Sequence, residues 1–267
     1  MKNTPRNAWL DRWEAEMKNT DLKQTYEKMH KQGSTAWFGD GKAERQAIIA
    51  MGNPWQGKRV LEIGCGEGEL LDMINEKHTI TSGIDYSLEA VTTAKNRYPY
   101  LDVMCCDWTE FPDNKWTEID VIVMQGVLEH LDNWQQSLSD MIHRFKPKTV
   151  ITSMPAFLNI RGIIWHTLDM LGAVMSKTDL HYIDEWEVLG FCKERGYGYR
   201  YNTIDQDWGN GPKMIEDLFR RIPLALTDGG IPFGGMPDVN KFLEWLEQAI
   251  EYFDHGEGAV NIYRIDL

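Results

Sequence analysis

The sequence predicts an α/β protein built on an open sheet of parallel strands, and three observations point there. The middle third alternates short β-rich runs with helix-period segments: "KRVLEI" then "GELLDMINEK", "TITSGID" then "SLEAVTTAKNRY", then "LDVMCCD", "IDVIVM", "WQQSLSDMIHRF" and "KTVITSM". Parallel strands need crossover helices, and this alternation is their signature. Three glycines at alternate positions, Gly64, Gly66 and Gly68, stand between the first apolar run and the helix-like stretch behind it. The element ends agree, since Ser87 is placed to cap the helix that Pro99 terminates, and Gly68 relaxes the turn into the first helix.

Before residue 57 the pattern predicts two or three helices, marked by Trp9, Trp13 and Met17 at helical spacing and by "AERQAIIAM". After residue 155 it changes to a long helical insert, a helix "EWEVLGFCKERG", a strand "YGYRYNTIDQD", more helix, and a last strand "AVNIYRIDL". No internal repeat, low-complexity segment or linker marks a second independent domain. Residues 1–267 are therefore read as one domain, with 1–57 an N-terminal helical cap, 58–155 the core, and 156–267 the lid inserts and C-terminal strands.

Bulk properties narrow the partners. A chain of 267 residues with 42% hydrophobic content can bury a sizeable core. It carries 41 acidic against 28 basic residues, a net charge of -13, and no run of Lys and Arg to track phosphates, which excludes nucleic acid. Cys65, Cys105, Cys106 and Cys192 form no CxxC pair and no metal-ligand spacing, so no metal is expected. The polar start "MKNTPRNAWLDRW" has no signal-peptide core, and no apolar stretch approaches the roughly 20 residues of a membrane span. The expectation is a reduced, cytoplasmic protein whose cysteines Cys65, Cys105 and Cys106 are small apolar fillers.

The bare backbone of Gly64–Gly68 asks for a ligand. A dinucleotide fingerprint GxGxxG needs glycine at position 69, where Glu69 stands, and a diphosphate would meet Glu62, Glu67 and Glu69. A phosphate-cradling Walker loop fails as well, because no Gly-Lys-Ser/Thr follows. An acidic, glycine-rich turn suits a ligand with a cationic group and no phosphate, passing so close that a β-carbon would clash.

These residues resemble the class I S-adenosylmethionine-dependent methyltransferases, in their small-molecule branch. The first motif is "EIGCGEG", "GIDYS" ends the second strand, "CCDWTEF" resembles the third motif, "VMQGVLEHL" the fourth, and "LHYIDEWEVLGFCKERGYG" is similar to the segment after strand five. The resemblance covers roughly residues 58 to 205. It implies a Rossmann-like, seven-stranded, mostly parallel sheet with helices on both faces, an N-terminal helical cap, and helical inserts after strands five and six. It implies S-adenosylmethionine as cofactor, with Glu62, Gly64, Cys65, Gly66 and Gly68 around the amino-acid loop. Asp85, 21 residues after Gly64, would grip both ribose hydroxyls through charge-assisted hydrogen bonds, with Tyr86 beside it. Asp107 would accept from the adenine amino group, Trp108 would lie alongside, and Gln125 and Gly126 would line the methionine end.

The implied chemistry is in-line methyl transfer to oxygen or nitrogen of a small-molecule acceptor, helped mainly by positioning and desolvation. His130, directly after the fourth strand, is the best-placed base, and His181 is second, although Ile183 stands where relatives carry arginine. The segments without a match hold much of the aromatic content, so Tyr26, Trp37, Trp165 and Tyr182 are expected at the acceptor. Asp169, Asp179, Asp184, Glu185, Asp205 and Asp207 in those segments would suit a neutral or amine-bearing acceptor. Two alternatives share the fold: a protein methyltransferase, and a non-catalytic protein that binds S-adenosylmethionine as a scaffold.

Overall fold

The computed structural model describes residues 19–32, 41–112, 118–176, 181–232, 236–249 and 256–267. Trp9, Trp13, Met17, Trp37 and Asp179 lie outside the described residues. Seven strands form one mixed sheet: β1 (Arg59–Ile63), β2 (Ile80–Asp85), β3 (Val103–Cys105), β4 (Val121–Gln125), β5 (Thr149–Pro155), β6 (Gly198–Ile204) and β7 (Val260–Asp266). Their order is β3-β2-β1-β4-β5-β7-β6. β1 pairs in parallel with β2 and β4, and β2 with β3, whereas β7 runs antiparallel to both β5 and β6. The last strand in sequence thus enters between its two predecessors.

The chain divides into two compact units. Residues 54–124 and 140–147, with the described residues up to 41, make the first, and residues 42–53, 125–139 and 148–267 the second. In the first, β1 and β4 read as near-continuous apolar runs because strands of a parallel sheet are covered on both faces. α1 (Asn19–Gln32), α3 (Glu69–Asn75) and α4 (Leu88–Arg97) belong to it. Gly68, at φ 90°, caps α3, and the Ser87 hydroxyl caps α4 by accepting from Ala90 N at 3.1 Å. Cys65, Leu71, Val91, Ala94, Leu101 and Val103 pack together beneath these helices.

Cys65 is the filler the sequence suggests: burial, then the charges of Asp85 and Glu62, push its thiol well above the usual range. Cys105 is not, because it ends the three-residue edge strand β3 and is exposed there. Cys106 is half-buried.

In the second unit, α2 (Lys42–Gly52) packs on β5, β6 and β7, and Arg264 on β7 donates to Met51 O at 2.9 Å. α6 (Ile160–Met170), α9 (Pro212–Asp228) and α10 (Met236–Ala249) enclose a separate apolar core around Phe157, Trp165, Met214, Leu218, Ile222, Leu243 and Leu246. α5 (Trp134–Phe145), α7 (Glu185–Arg195) and the short α8 (Gln206–Asn210) complete the helices among the described residues. None of the described helices is long and apolar enough to cross a membrane, and no group of three or more His, Cys, Asp or Glu among the described residues is placed to hold a metal.

Gly83 in β2 shows how tightly the first unit closes behind its loop. A β-carbon there would stand 2.7 Å from Leu71 Cδ2 and 2.9 Å from Cys65 Cβ, both in the buried core. Gly83→Ala is therefore expected to destabilise the protein by about 1–3 kcal/mol, the usual cost of overpacking, read as a lower urea midpoint at unchanged slope.

Candidate cofactor site and catalytic turn

The glycine loop joins β1 to α3 with a backbone only glycine adopts readily: Gly64, Gly66 and Gly68 lie at φ 74°, 50° and 90°. Gly64 N and Cys65 N both donate to Ile84 O, at 2.8 and 3.0 Å, which draws the loop against the end of β2. Asp85 completes the turn. Its Oδ2 accepts from Gly66 N at 2.9 Å and its Oδ1 from Ser87 N at 2.8 Å. Burial raises the Asp85 carboxyl above its usual value, while the Ser87 and Gly66 N–H donors and His30 oppose that rise. Among the described residues a β-carbon at Gly66 would meet only His30 Cε1, at 3.8 Å, so the backbone here is bare rather than packed under core.

Glu62 is buried in β1 and Tyr86 follows Asp85. Burial, with the charges of Asp85 and Asp107, pushes the Tyr86 phenol far up. Tyr26, on α1, meets the Tyr86 ring edge-on at 6.1 Å, so this expected acceptor residue lies beside an expected cofactor residue. Asp107 caps the single turn Trp108–Glu110, accepting at Oδ1 from Thr109 N (2.9 Å) and Thr109 Oγ1 (2.6 Å). Arg144 pins that turn by donating to Trp108 O at 3.0 Å and Phe111 O at 2.6 Å. Trp108 itself is half-buried.

Residues of α1 that sequence reasoning missed complete this unit's site. Glu27 accepts from Leu88 N (2.8 Å), Glu89 N (3.2 Å) and Ser87 Oγ (3.2 Å), capping the start of α4 from 61 positions away. His30 Nδ1 lies 3.2 Å from Glu67 Oε1, and Arg97 Nη2 is 3.1 Å from Glu67 Oε2 and also pairs with Glu69. No local signal announces such partners, because neither the period of α1 nor any motif encodes which distant loop it covers.

In the second unit, Gln125 ends β4 and donates through Nε2 to Glu44 Oε2 at 2.7 Å. Gly126 follows at φ 63°, and a β-carbon there would approach Glu129 Oε1 to 3.5 Å. His130 closes the turn Leu128–His130 with Nε2 4.0 Å from Glu129 Oε1, a buried carboxylate the sequence reading passed over. His181 joins the same turn: its N–H donates to Glu129 O at 3.1 Å and its Nε2 lies 2.8 Å from Asp132 O. The structure thus brings the two expected bases to one turn.

Trp165 and Tyr182 also meet, but inside the second core. Trp165 Nε1 donates to Tyr182 Oη at 3.1 Å, Tyr182 Oη donates to Asp169, and the guanidinium groups of Arg161 and Arg221 lie 4.7 and 5.1 Å from the Trp165 ring centroid. The expected acceptor acids mostly hold local structure. Asp184 opens α7 in a capping box with Glu187, Glu185 accepts from Tyr199 Oη at 3.2 Å, and Asp207 lies 3.8 Å from Lys213.

With that geometry in view, residues 61–151 match the methyltransferase domain family Methyltransf_12. The matched segment, about a third of the chain, is similar to the methyltransferase domain of the class I S-adenosylmethionine-dependent enzymes. It is 34% identical over 91 residues to a probable S-adenosylmethionine-dependent methyltransferase of Mycolicibacterium smegmatis, covering 34% of this chain and 35% of that one. Over 174 residues it is 26% identical to the mitochondrial ubiquinone biosynthesis O-methyltransferase of Schizosaccharomyces pombe, covering 58% and 63%. The matched stretches therefore span about a third and under two thirds of these relatives' own lengths. A solved S-adenosylmethionine-dependent methyltransferase from Archaeoglobus fulgidus shares the fold, with a TM-score of 0.57 at 14% identity over 87% of this chain and 97% of that one.

The docking of α1 on the start of α4 is open to titration. Burial works against the charge of Glu27, but the Leu88 and Glu89 N–H groups and the Ser87 hydroxyl outweigh it and hold the carboxyl below its usual value. A depressed folded value gives stabilisation that is present above the ordinary glutamate range and lost as pH falls through the folded value. The Leu88 and Glu89 amides should accordingly exchange more slowly in the wild type than in Glu27→Gln at neutral pH, and the difference should vanish in acid. Equal exchange at neutral pH would show that Glu27 does not cap α4.

Proposed function

We propose that the protein transfers a methyl group from S-adenosylmethionine to an oxygen or nitrogen of a small-molecule acceptor. The observation that carries this reading is the left-handed glycine loop pinned at Gly66 by Asp85, a bare backbone next to a carboxylate at the ends of adjacent parallel strands. Open α/β sheets bind ligands at such strand ends. The donor set fits the cofactor. Each Asp85 oxygen accepts one backbone N–H and keeps a lone-pair direction for a ribose hydroxyl. Asp107 is the acceptor offered to the adenine amino group, and Gln125 and Gly126 would line the methionine end. When bound, the cofactor supplies a methyl group already activated by its sulfonium.

The protein's remaining tasks are to align the acceptor, exclude water and receive a proton. His130 is the group proposed to receive it at the imidazole, with the Glu129 carboxylate 4.0 Å away facing the charge the ring gains. His181, fixed against Asp132 O, would hold the same turn in place. Trp165 and Tyr182, joined in the second core, are the proposed acceptor-side aromatics of the second unit. The S. pombe relative is an O-methyltransferase by name, which supports oxygen among the acceptor atoms.

Calorimetry with S-adenosylhomocysteine tests the cofactor half. Asp85→Ala removes the ribose acceptor and should weaken binding at least about tenfold, as loss of charge-assisted hydrogen bonds does. Undiminished affinity would overturn the assignment. For the catalytic half, His130→Ala should lower turnover roughly 10²-fold or more with cofactor affinity nearly unchanged. A histidine that only holds structure would instead lose stability and cofactor affinity together, with turnover per bound cofactor preserved.

A further inference from the structure

Glu44 stands in the first turn of α2, where a carboxylate suits the helix dipole, and it also meets an amide 81 positions away. It is only partly exposed, and it accepts a hydrogen bond from the neutral amide of Gln125, Nε2 to Oε2 at 2.7 Å. Ser153, fully buried on β5, faces the same carboxylate, yet its Oγ completes no hydrogen bond of normal geometry. A second carboxylate, Asp205, also acts on Glu44, from a residue held in the left-handed conformation at φ 59°. Arg45, the next residue on α2, acts on Glu44 as a cation. Burial, reinforced by Asp205 and opposed by Ser153, Gln125 and Arg45, raises the Glu44 carboxyl. A partly desolvated carboxylate beside a like charge, with a neutral amide and an unsatisfied hydroxyl around it, is completed by a cation that donates hydrogen bonds. An ammonium group has the right charge and three donors, which can be shared among the Glu44 carboxylate, the Ser153 hydroxyl and the Gln125 amide oxygen.

We infer that Glu44, with Gln125 and Ser153, forms a subsite for the ammonium group of a ligand. The inference rests on the reading of this chain as a methyltransferase only in naming the two ligands that carry such a group: the amino-acid end of the cofactor and an amine-bearing acceptor. In either case Glu44 sets specificity for charge, and Glu44→Gln preserves size and hydrogen bonding while removing it. The Gln125 end of β4 and the start of α2 belong to the same unit, so the subsite is assembled within one folded body.

The test titrates wild type and Glu44→Gln with S-adenosylhomocysteine and with its analogue lacking the α-amino group, by calorimetry. A parallel melting experiment compares ethanolamine with its neutral counterpart ethylene glycol. If the cofactor supplies the ammonium, the wild type prefers the aminated ligand at least about tenfold, and Glu44→Gln loses that preference while keeping its affinity for the deaminated one. If the acceptor supplies it, ethanolamine but not ethylene glycol protects the wild type, and the protection disappears in Glu44→Gln. Discrimination in neither arm, or discrimination unchanged by the substitution, overturns the subsite. Failure of the wild type to bind S-adenosylhomocysteine at all overturns the methyltransferase reading instead, and the ethanolamine arm still decides Glu44.

Discussion

Asp85 accepts at one oxygen from the Gly66 N–H and at the other from the Ser87 N–H, and through these two bonds it couples the loop after β1 to the start of α4. Two otherwise orphaned N–H groups are satisfied by one side chain, and an unsatisfied buried donor costs about 1–3 kcal/mol. The side chain is itself largely withdrawn from water, which favours its protonated form, so the two N–H dipoles and the nearby His30 are what oppose that tendency. The same short carboxylate thus sets the loop's shape, ends β2 and orients α4.

The acids around the loop are not bare. Arg97 pairs with both Glu67 and Glu69, and His30 closes on the other oxygen of Glu67. Charge alone therefore argues less strongly against a phosphate than the sequence suggests, since part of the field is neutralised before any ligand arrives. What still argues against a dinucleotide is geometry: Glu69, not glycine, opens α3, and its side chain is tied to α4 through Arg97.

The strands and caps were legible because local rules write them. Apolar runs spaced by amphipathic helices set the parallel half, and Ser87 and Gly68 mark their helix starts by the chemistry that helix ends require. Glu27, His30, Glu44 and Glu129 were not legible. Glu27 caps a helix 61 positions downstream and Glu44 meets an amide 81 positions away, so nothing in their neighbourhoods records the partner. Cys105 misled for a related reason: composition reads a cysteine between apolar residues as core, but its strand is only three residues long and lies at the sheet edge. Burial there is decided by sheet order, which no short window contains.

The aromatic-rich segments show how large rings with polar handles enter a core. Trp165 and Tyr182 were expected to face an acceptor because they lie outside the cofactor motifs, yet each uses its polar handle on the other and on Asp169. A buried indole N–H and a phenol O–H both need partners, and pairing them within a cluster lets large rings enter an interior without unsatisfied donors. Phe157 and His166 pack against Tyr182 at ring separations of 4.7 and 4.6 Å, which fixes its orientation further. Rings locked in this way cannot swing to follow a ligand. Their pairing with each other and with Asp169 is therefore part of what fixes the second core.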